Sequence, residues 1–326
     1  MAILNVPSAF ATPALANAAA IAGDTILIEP GTYLEAASIN FIPNITIAGN
    51  GGNPSTVVLS NNTVTTVNMT ATGNRFFSNL TIANGILPAG AATDACLNGN
   101  TAAIVFADDV IFASAGGVTC VQQTKSGGIF NRCKFTIPFT ATVTSLDGFR
   151  SVGSQPCTLT ACVFIGFTGV GLNAYSSTAI NCSAYEAMTG GVNPSIGIYC
   201  GNVHNCAVWG PNITTYGARS YGVGNTAGYS SIFVTAPVTS LYISSGSTSD
   251  GFNYGAADII TNGNPLFVNA PTNMEPHADG LAFQNGNNAY ALPTTDYAGN
   301  AWNNPPSRGA YEQAPTPTPT PKGSGK

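Results

Sequence analysis

The sequence predicts an all-β chain wound as a single parallel β-helix, a solenoid closed by a short N-terminal helix and an irregular C-terminal cap. Three observations predict it. First, Gly occupies 37 of 326 positions and charged residues make up only 7%, against about 25% in ordinary domains. Exposed helix faces favour Glu, Lys, Arg and Gln, which this composition cannot supply. Second, short β-rich runs alternate with clusters of Gly, Asn, Ser and Thr, and no amphipathic helical period appears after residue 22. Third, a unit reading polar, apolar, any, apolar recurs, with copies placed at Ile26, Ile45, Leu80, Val110, Cys133, Cys162, Cys182, Cys206 and Ile232. Unequal steps around a constant core pattern fit a solenoid whose coils keep their strands and vary their loops.

Taken in order, residues 1–22 are expected to form the N-terminal cap. Thr12 followed by Pro13 has the chemistry of an N-cap and a first helical residue, opening a helix that runs to Ala20. The segment has no basic stretch before its apolar residues and runs directly into GDTILIEPGTY, so it reads as a lid and not as a signal peptide. Residues 23–270 are assigned to the β-helix and 271–313 to a C-terminal coil and cap. The remainder, 314–326, contains PTPTPTPKGSGK, an extended Pro-Thr spacer with no core of its own.

Alternation along each strand points the two apolar positions of the unit inward and the residue between them outward. The inward column then reads Ile45, Leu80, Val110, Cys133, Cys162, Cys182 and Cys206. Four consecutive coils place Cys at one position. Their expected separation of about 4.8 Å exceeds the Cβ spacing of about 3.8 Å in a disulfide, so they are read as a buried thiol stack of small hydrophobes. Spacing leaves the pairing of Cys96, Cys120, Cys157 and Cys200 open. Just before the column stand Asn44, Asn79, Asp109, Arg132, Asn181 and Asn205. Asn suits a corner, because it tolerates the left-handed conformation and bonds to its counterparts above and below. Asp109 and Arg132, one coil apart in this column, are expected to form a surface ion pair.

Net charge is −5, from 14 acids and 9 bases. This balance argues against nucleic acid and against anionic membrane surfaces as partners. No run approaches 18 apolar residues, so no membrane insertion is expected.

The segment GDTILIEPGTYLE followed by NITIAGNGG resembles the opening coils of the pectin-lyase-like superfamily, whose members are right-handed parallel β-helix proteins. The far end, with GNPLFVNAP, LPTTDYAGNAW and PPSRGAYEQ, resembles the closing segment of bacterial surface β-helix proteins. The resemblance spans about residues 20–313 and implies fold more than chemistry, since this superfold hosts lyases, hydrolases, esterases, adhesins and virion spikes.

The enzyme motifs of that superfamily are not matched residue by residue. The Asn-Thr-Asp, Gly-His-Gly and Arg-Ile-Lys segments of polygalacturonase-like hydrolases have no counterpart, and the Asp residues are scattered. Asp108 and Asp109 are adjacent in a strand, so alternation points them to opposite faces. Asp147-Gly148-Phe149-Arg150 is the string nearest to the esterase motif, without its context. The expected outward file of the aligned sheet, Thr46, Thr81, Ile111, Lys134, Val163, Ser183, Ala207 and Phe233, contains no carboxylate. His204 is read as a core histidine, and His277 as a loop residue near Glu275 and Asp279.

Aromatic residues concentrate between Tyr199 and Tyr254. Trp209, Tyr216, Tyr221 and Tyr229, interleaved with neutral hydrogen-bonding groups, are the candidate glycan contacts. No catalytic residue, metal site or cofactor is assigned. The favoured reading is a non-catalytic structural or surface-display protein on a virion or cell exterior. Its partners would be other surface or capsid subunits and glycans. The alternative is a polysaccharide lyase or glycoside hydrolase.

Overall fold

The computed structural model describes residues 1–86, 94–138 apart from 124, 146–185 apart from 152–154, 196–208, and 292–312 apart from 305, 308 and 309, together with the backbone of strands lying between 209 and 276. The fold is a parallel β-helix, all-β except for one α-helix and a single 3-10 turn among these residues.

Its strands stack in parallel into three faces. The first face takes Ile3–Val6, Thr25–Ile28, Ile45–Gly49, the leading halves of Gly73–Asn84 and Ala103–Ser114, then Gly127–Asn131 and Cys157–Thr160. The second takes Gly31–Leu34, Val57–Asn61, the trailing halves of the two long strands, Lys134–Thr136, Val163–Ile165, Ser183–Tyr185 and Ala207–Gly210. The third takes Val67–Met69, Ala95–Gly99, Thr119–Gln123, Phe149–Ser151 and the leading halves of Val170–Ile180 and Ile196–His204.

The corner between the first and second faces is one residue wide. Asn79, Asp109, Arg132, Ala161, Asn181 and Asn205 all have positive φ, between 48° and 55°. A single left-handed residue reverses the side-chain alternation and turns the strand without breaking it. That is why Gly73–Asn84 and Ala103–Ser114 run continuously across two faces.

From Leu80 onward the sequence register matches the strand pairing. Leu80 pairs with Val110, and the pairs Ile111 with Lys134, Lys134 with Val163, Val163 with Ser183, and Ser183 with Ala207 carry the column through Cys133, Cys162, Cys182 and Cys206. All four thiols are buried. Two residues further along, Phe112, Phe135 and Phe164 stack with centroids 5.1 Å and 4.8 Å apart. The earliest and latest copies need correction. Ile26 pairs with Ile47, and Ile45 with Arg75, so both belong to the first face; Ile232 pairs with Val208, two residues past Cys206. Apolar alternation is the same on every face and cannot tell them apart.

Thr12 accepts a hydrogen bond from the Leu15 amide and caps the helix Pro13–Ala19, which buries Pro13 and Ala16. The strand Ile3–Val6 already pairs with Thr25–Ile28, so the first rung precedes the helix.

The C-terminal segment 292–312 lies along the second face as a strap. Ser307 accepts from Asn181 Nδ2 at 2.9 Å, and the Ala310 amide donates to Ser183 Oγ at 2.9 Å. Ala310 and Tyr311, with Tyr297 beside them, pack on Val163, Ile165, Tyr185 and Ala207. The expectation that Val163, Ser183 and Ala207 form an open outer face is therefore corrected. They point outward but are buried, because the strap covers them. Phe233 lies outside the residues whose side chains are described.

Candidate functional site

Among the corner residues, Arg132 donates to Asp109 through Nε and Nη2 at 2.9 Å and 2.8 Å, and its Nη2 also lies 2.8 Å from Asp108. The two carboxylates thus converge on one guanidinium, correcting the expectation that they face apart. The left-handed conformation of Asp109 breaks the alternation on which that expectation rested. Contact with Asp109 and Asp108 raises the Arg132 pKa further, while burial raises that of Asp108. Higher in the column Asn205 Nδ2 donates to Asn181 Oδ1 at 3.1 Å. The corner holds coils and strap together, and its charges are spent on each other.

None of the eight cysteines forms a disulfide, and all are buried, including Cys96, Cys120, Cys157 and Cys200. Burial pushes the Cys157 thiol up to about 12 and that of Cys200 higher still. Burial likewise depresses His204 to about 4, so it is neutral at ordinary pH. Among the described residues no group of His, Cys, Asp and Glu has the makings of a metal site.

Apart from Tyr199, the third face is built from residues that carry no motif in the sequence. Strand register aligns Asn68, Asn98, Gln122, Arg150, Asn173 and Tyr199 on successive coils. Each stands at the middle of a short triplet flanked by an inward residue: Val67-Asn68-Met69, Leu97-Asn98-Gly99, Val121-Gln122-Gln123, Phe149-Arg150-Ser151, Leu172-Asn173-Ala174 and Ile198-Tyr199-Cys200. That apolar-polar alternation was the available signal. The file is sunken at Asn98 and Gln122, 8% and 7% exposed, while Asn68, Arg150, Asn173 and Tyr199 are partly exposed. Ser38, Thr65, Asp94 and Asn100 line its mouth, enclosing about 420 Å³ together with Asn68, Asn98 and Gln122. Asn68 Oδ1 is buried there and receives no hydrogen bond.

Asp147 closes this file on one side. It is 4% exposed, accepts from the Val170 amide at 2.8 Å and from Asn173 Nδ2 at 3.0 Å, and lies 3.9 Å from Arg150 Nε. Burial outweighs these contacts and raises its pKa to about 6. The other carboxylate of the groove, Asp94, sits two coils away, about 10 Å along the axis. Paired carboxylates of glycosidases stand about 5 Å apart in retaining enzymes and about 6.5–9.5 Å in inverting ones. Among the described residues the arrangement offers a row of neutral donors and acceptors with the half-exposed cation Arg150, suited to holding hydroxyl-rich chains.

Of the candidate glycan contacts, the side chains of Trp209, Tyr216, Tyr221 and Tyr229 lie outside the described residues, as does His277. The backbone of Tyr216–Ser220 continues the third face beyond Tyr199.

No family model and no curated protein matches the chain in sequence. Solved structures do resemble it. A pectin methylesterase from Aspergillus niger is 13% identical, with 84% of this chain and 93% of that chain covered and a TM-score of 0.44. The rice weevil pectin methyl esterase is 15% identical over 75% of this chain and 81% of its own, with a TM-score of 0.41. Pectate lyase Pel9A is 14% identical over 96% of both chains, with a TM-score of 0.44. The fold assignment rests on the coil register, and the chemistry is read from this chain's own groups.

Proposed function

We propose that the chain is a non-catalytic display solenoid of a virion or cell exterior that holds a linear glycan along its third face. The observation that carries this reading is the polar file Asn68, Asn98, Gln122, Arg150 and Asn173, repeating at the coil spacing, with Asn68 Oδ1 unengaged. A polymer repeating at a similar step gains one set of hydrogen bonds per coil, each modest alone. The backbone of Tyr216–Ser220 and Thr239–Ile243 prolongs the same face, and the register places Arg219 and Tyr242 in line with Tyr199. Eight reduced, buried thiols favour folding in a reducing compartment, as for a particle assembled inside a cell with other capsid or surface subunits as partners.

Equilibrium binding to a panel of neutral and acidic polysaccharides, with product analysis in the same tubes, tests the reading. Gln122→Ala should weaken binding by about tenfold, the worth of roughly one good hydrogen bond, and no cleavage should occur. Release of unsaturated or reducing ends would instead establish the polysaccharide lyase or hydrolase. That second reading is favoured by one feature, the raised proton affinity of Asp147 beside Arg150. The panel is run with and without calcium, because lyase chemistry in the superfamily resembled by the opening coils uses it.

A further inference from the structure

The first face carries a second, different surface. Phe76, Phe106 and Ile129 align on three successive coils and point outward. Phe76 is 38% exposed, Ile129 40% and the neighbouring Ile104 44%. The two Phe rings are nearly parallel, at 12°, with centroids 4.7 Å apart. Ring planes in contact sit about 3.5 Å apart, so rings whose centroids follow the coil spacing must lean like shingles. Each therefore shows part of its face as well as its edge. Two residues along the same strands runs a polar lane, Ser78, Asp108 and Asn131, in the same register. A shallow cleft of about 190 Å³ lies between the lanes.

The geometry points to a binding track for an uncharged, β-1,4-linked pyranose chain on this face, separate from the third-face groove. Such a chain is a flat ribbon that advances per sugar by about the distance the solenoid advances per coil, about 4.8 Å. Its C–H faces match the leaning rings and Ile129, and its hydroxyl edge meets Ser78, Asp108 and Asn131. Charge selects the class. Asp108 and Asp109 share the single cation Arg132, so the polar lane is net negative and opposes uronate chains. Extent favours a glycan over a protein partner. Four partly exposed side chains present on the order of 300 Å², well under the roughly 800 Å² per partner of a stable protein interface.

The test is saturation-transfer NMR and titration of the full chain with cellohexaose, with hexagalacturonate as the charged control. Cellohexaose should bind weakly and independently of salt, and hexagalacturonate should not bind at this face. Phe106→Ala should weaken cellohexaose binding at this face about tenfold. Asp108→Asn removes the negative charge that opposes uronates and should let hexagalacturonate bind at this face. An unaltered melting temperature and circular dichroism spectrum for Phe106→Ala confirm that the variant is folded. Loss of cellohexaose binding on Gln122→Ala alone would return all glycan contact to the third face and overturn the track. So would absence of binding by cello-, xylo- and manno-oligosaccharides alike. Self-association of the chain that disappears in Phe106→Ala, without glycan binding, would overturn it in favour of a second copy.

Discussion

Arg132 and Asp109 stand one coil apart on the same corner and meet in a two-point ion pair, Nε to Oδ1 at 2.9 Å and Nη2 to Oδ2 at 2.8 Å, with Asp108 as a third partner. The Arg132 side chain is 15% exposed, so the pair is shielded more than an isolated surface bridge. Arg132→Asn keeps a residue that accepts the left-handed corner and removes the guanidinium with its stem. It should cost about 1 kcal/mol, at the upper end for exposed pairs because two carboxylates are left facing each other. Chemical denaturation by urea at low and high salt measures it, and the loss should shrink as salt rises. A salt-independent loss would assign the cost to packing of the side-chain stem.

The thiol stack sets a second expectation. Cys133, Cys162, Cys182 and Cys206, with the other four cysteines, should resist alkylation in the native protein and react completely once it is denatured, as read by mass spectrometry. Cys162→Ala should cost about 1 kcal/mol for lost packing, and Cys162→Ser more, because it buries a hydroxyl among thiols.

These elements also show what the sequence makes legible. The corner could be read because a left-handed residue at a fixed place selects Asn, and Asn79, Asn181 and Asn205 announce it. Ala161 occupies the same corner with φ of 54° and gives no such signal, since nothing in an Ala marks a strained backbone. Cys recurrence revealed the register from Cys133 to Cys206. Ile26 and Ile45 lie on a different face from Leu80, and the sequence does not separate them because every face repeats the same alternation. The strap was invisible for a different reason. Asn181 and Ser307 are 126 residues apart, and no local pattern reports a contact of that separation. The third-face file was present as polar centres in apolar triplets, but alternation says only that a side chain points outward, and not that several stack into a groove.

Asn181 joins coil to strap, which yields a third prediction. Its Nδ2 donates to Ser307 and its Oδ1 accepts from Asn205, all buried. Asn181→Ala removes both bonds and places Ala in the left-handed region. The expected loss is about 2–3 kcal/mol. Limited proteolysis should then cut within 292–312 before the coils are attacked. Cleavage of coils and strap at the same rate would mean that the strap is held by Tyr297 and Tyr311 packing instead.

Asp147 gives the last prediction, through pH. Its folded pKa is raised to about 6 from an ordinary value of 3.8, chiefly by burial. A carboxyl with a raised folded pKa stabilises the fold when protonated. Its contribution is complete below the ordinary value, declines as pH rises through the interval from 3.8 to about 6, and is gone above it. A shift of this size corresponds to about 3 kcal/mol. Asp147→Asn keeps an acceptor for the Val170 amide and carries no charge to desolvate. The variant should therefore be more stable than the parent at pH 8 and close to it at pH 4, with a flatter stability profile between. Thermal melts across this range read the difference directly. The same variant separates the two functional readings. A glycan-holding groove should retain ligand, because Gln122, Arg150 and the amides of Asn68 and Asn98 remain. An enzyme that relies on Asp147 as its acid or base should lose turnover while still binding. Equal stability of variant and parent at pH 8 would show that Asp147 is ionised in the fold at little cost, with Arg150 drawn closer than 3.9 Å to neutralise it.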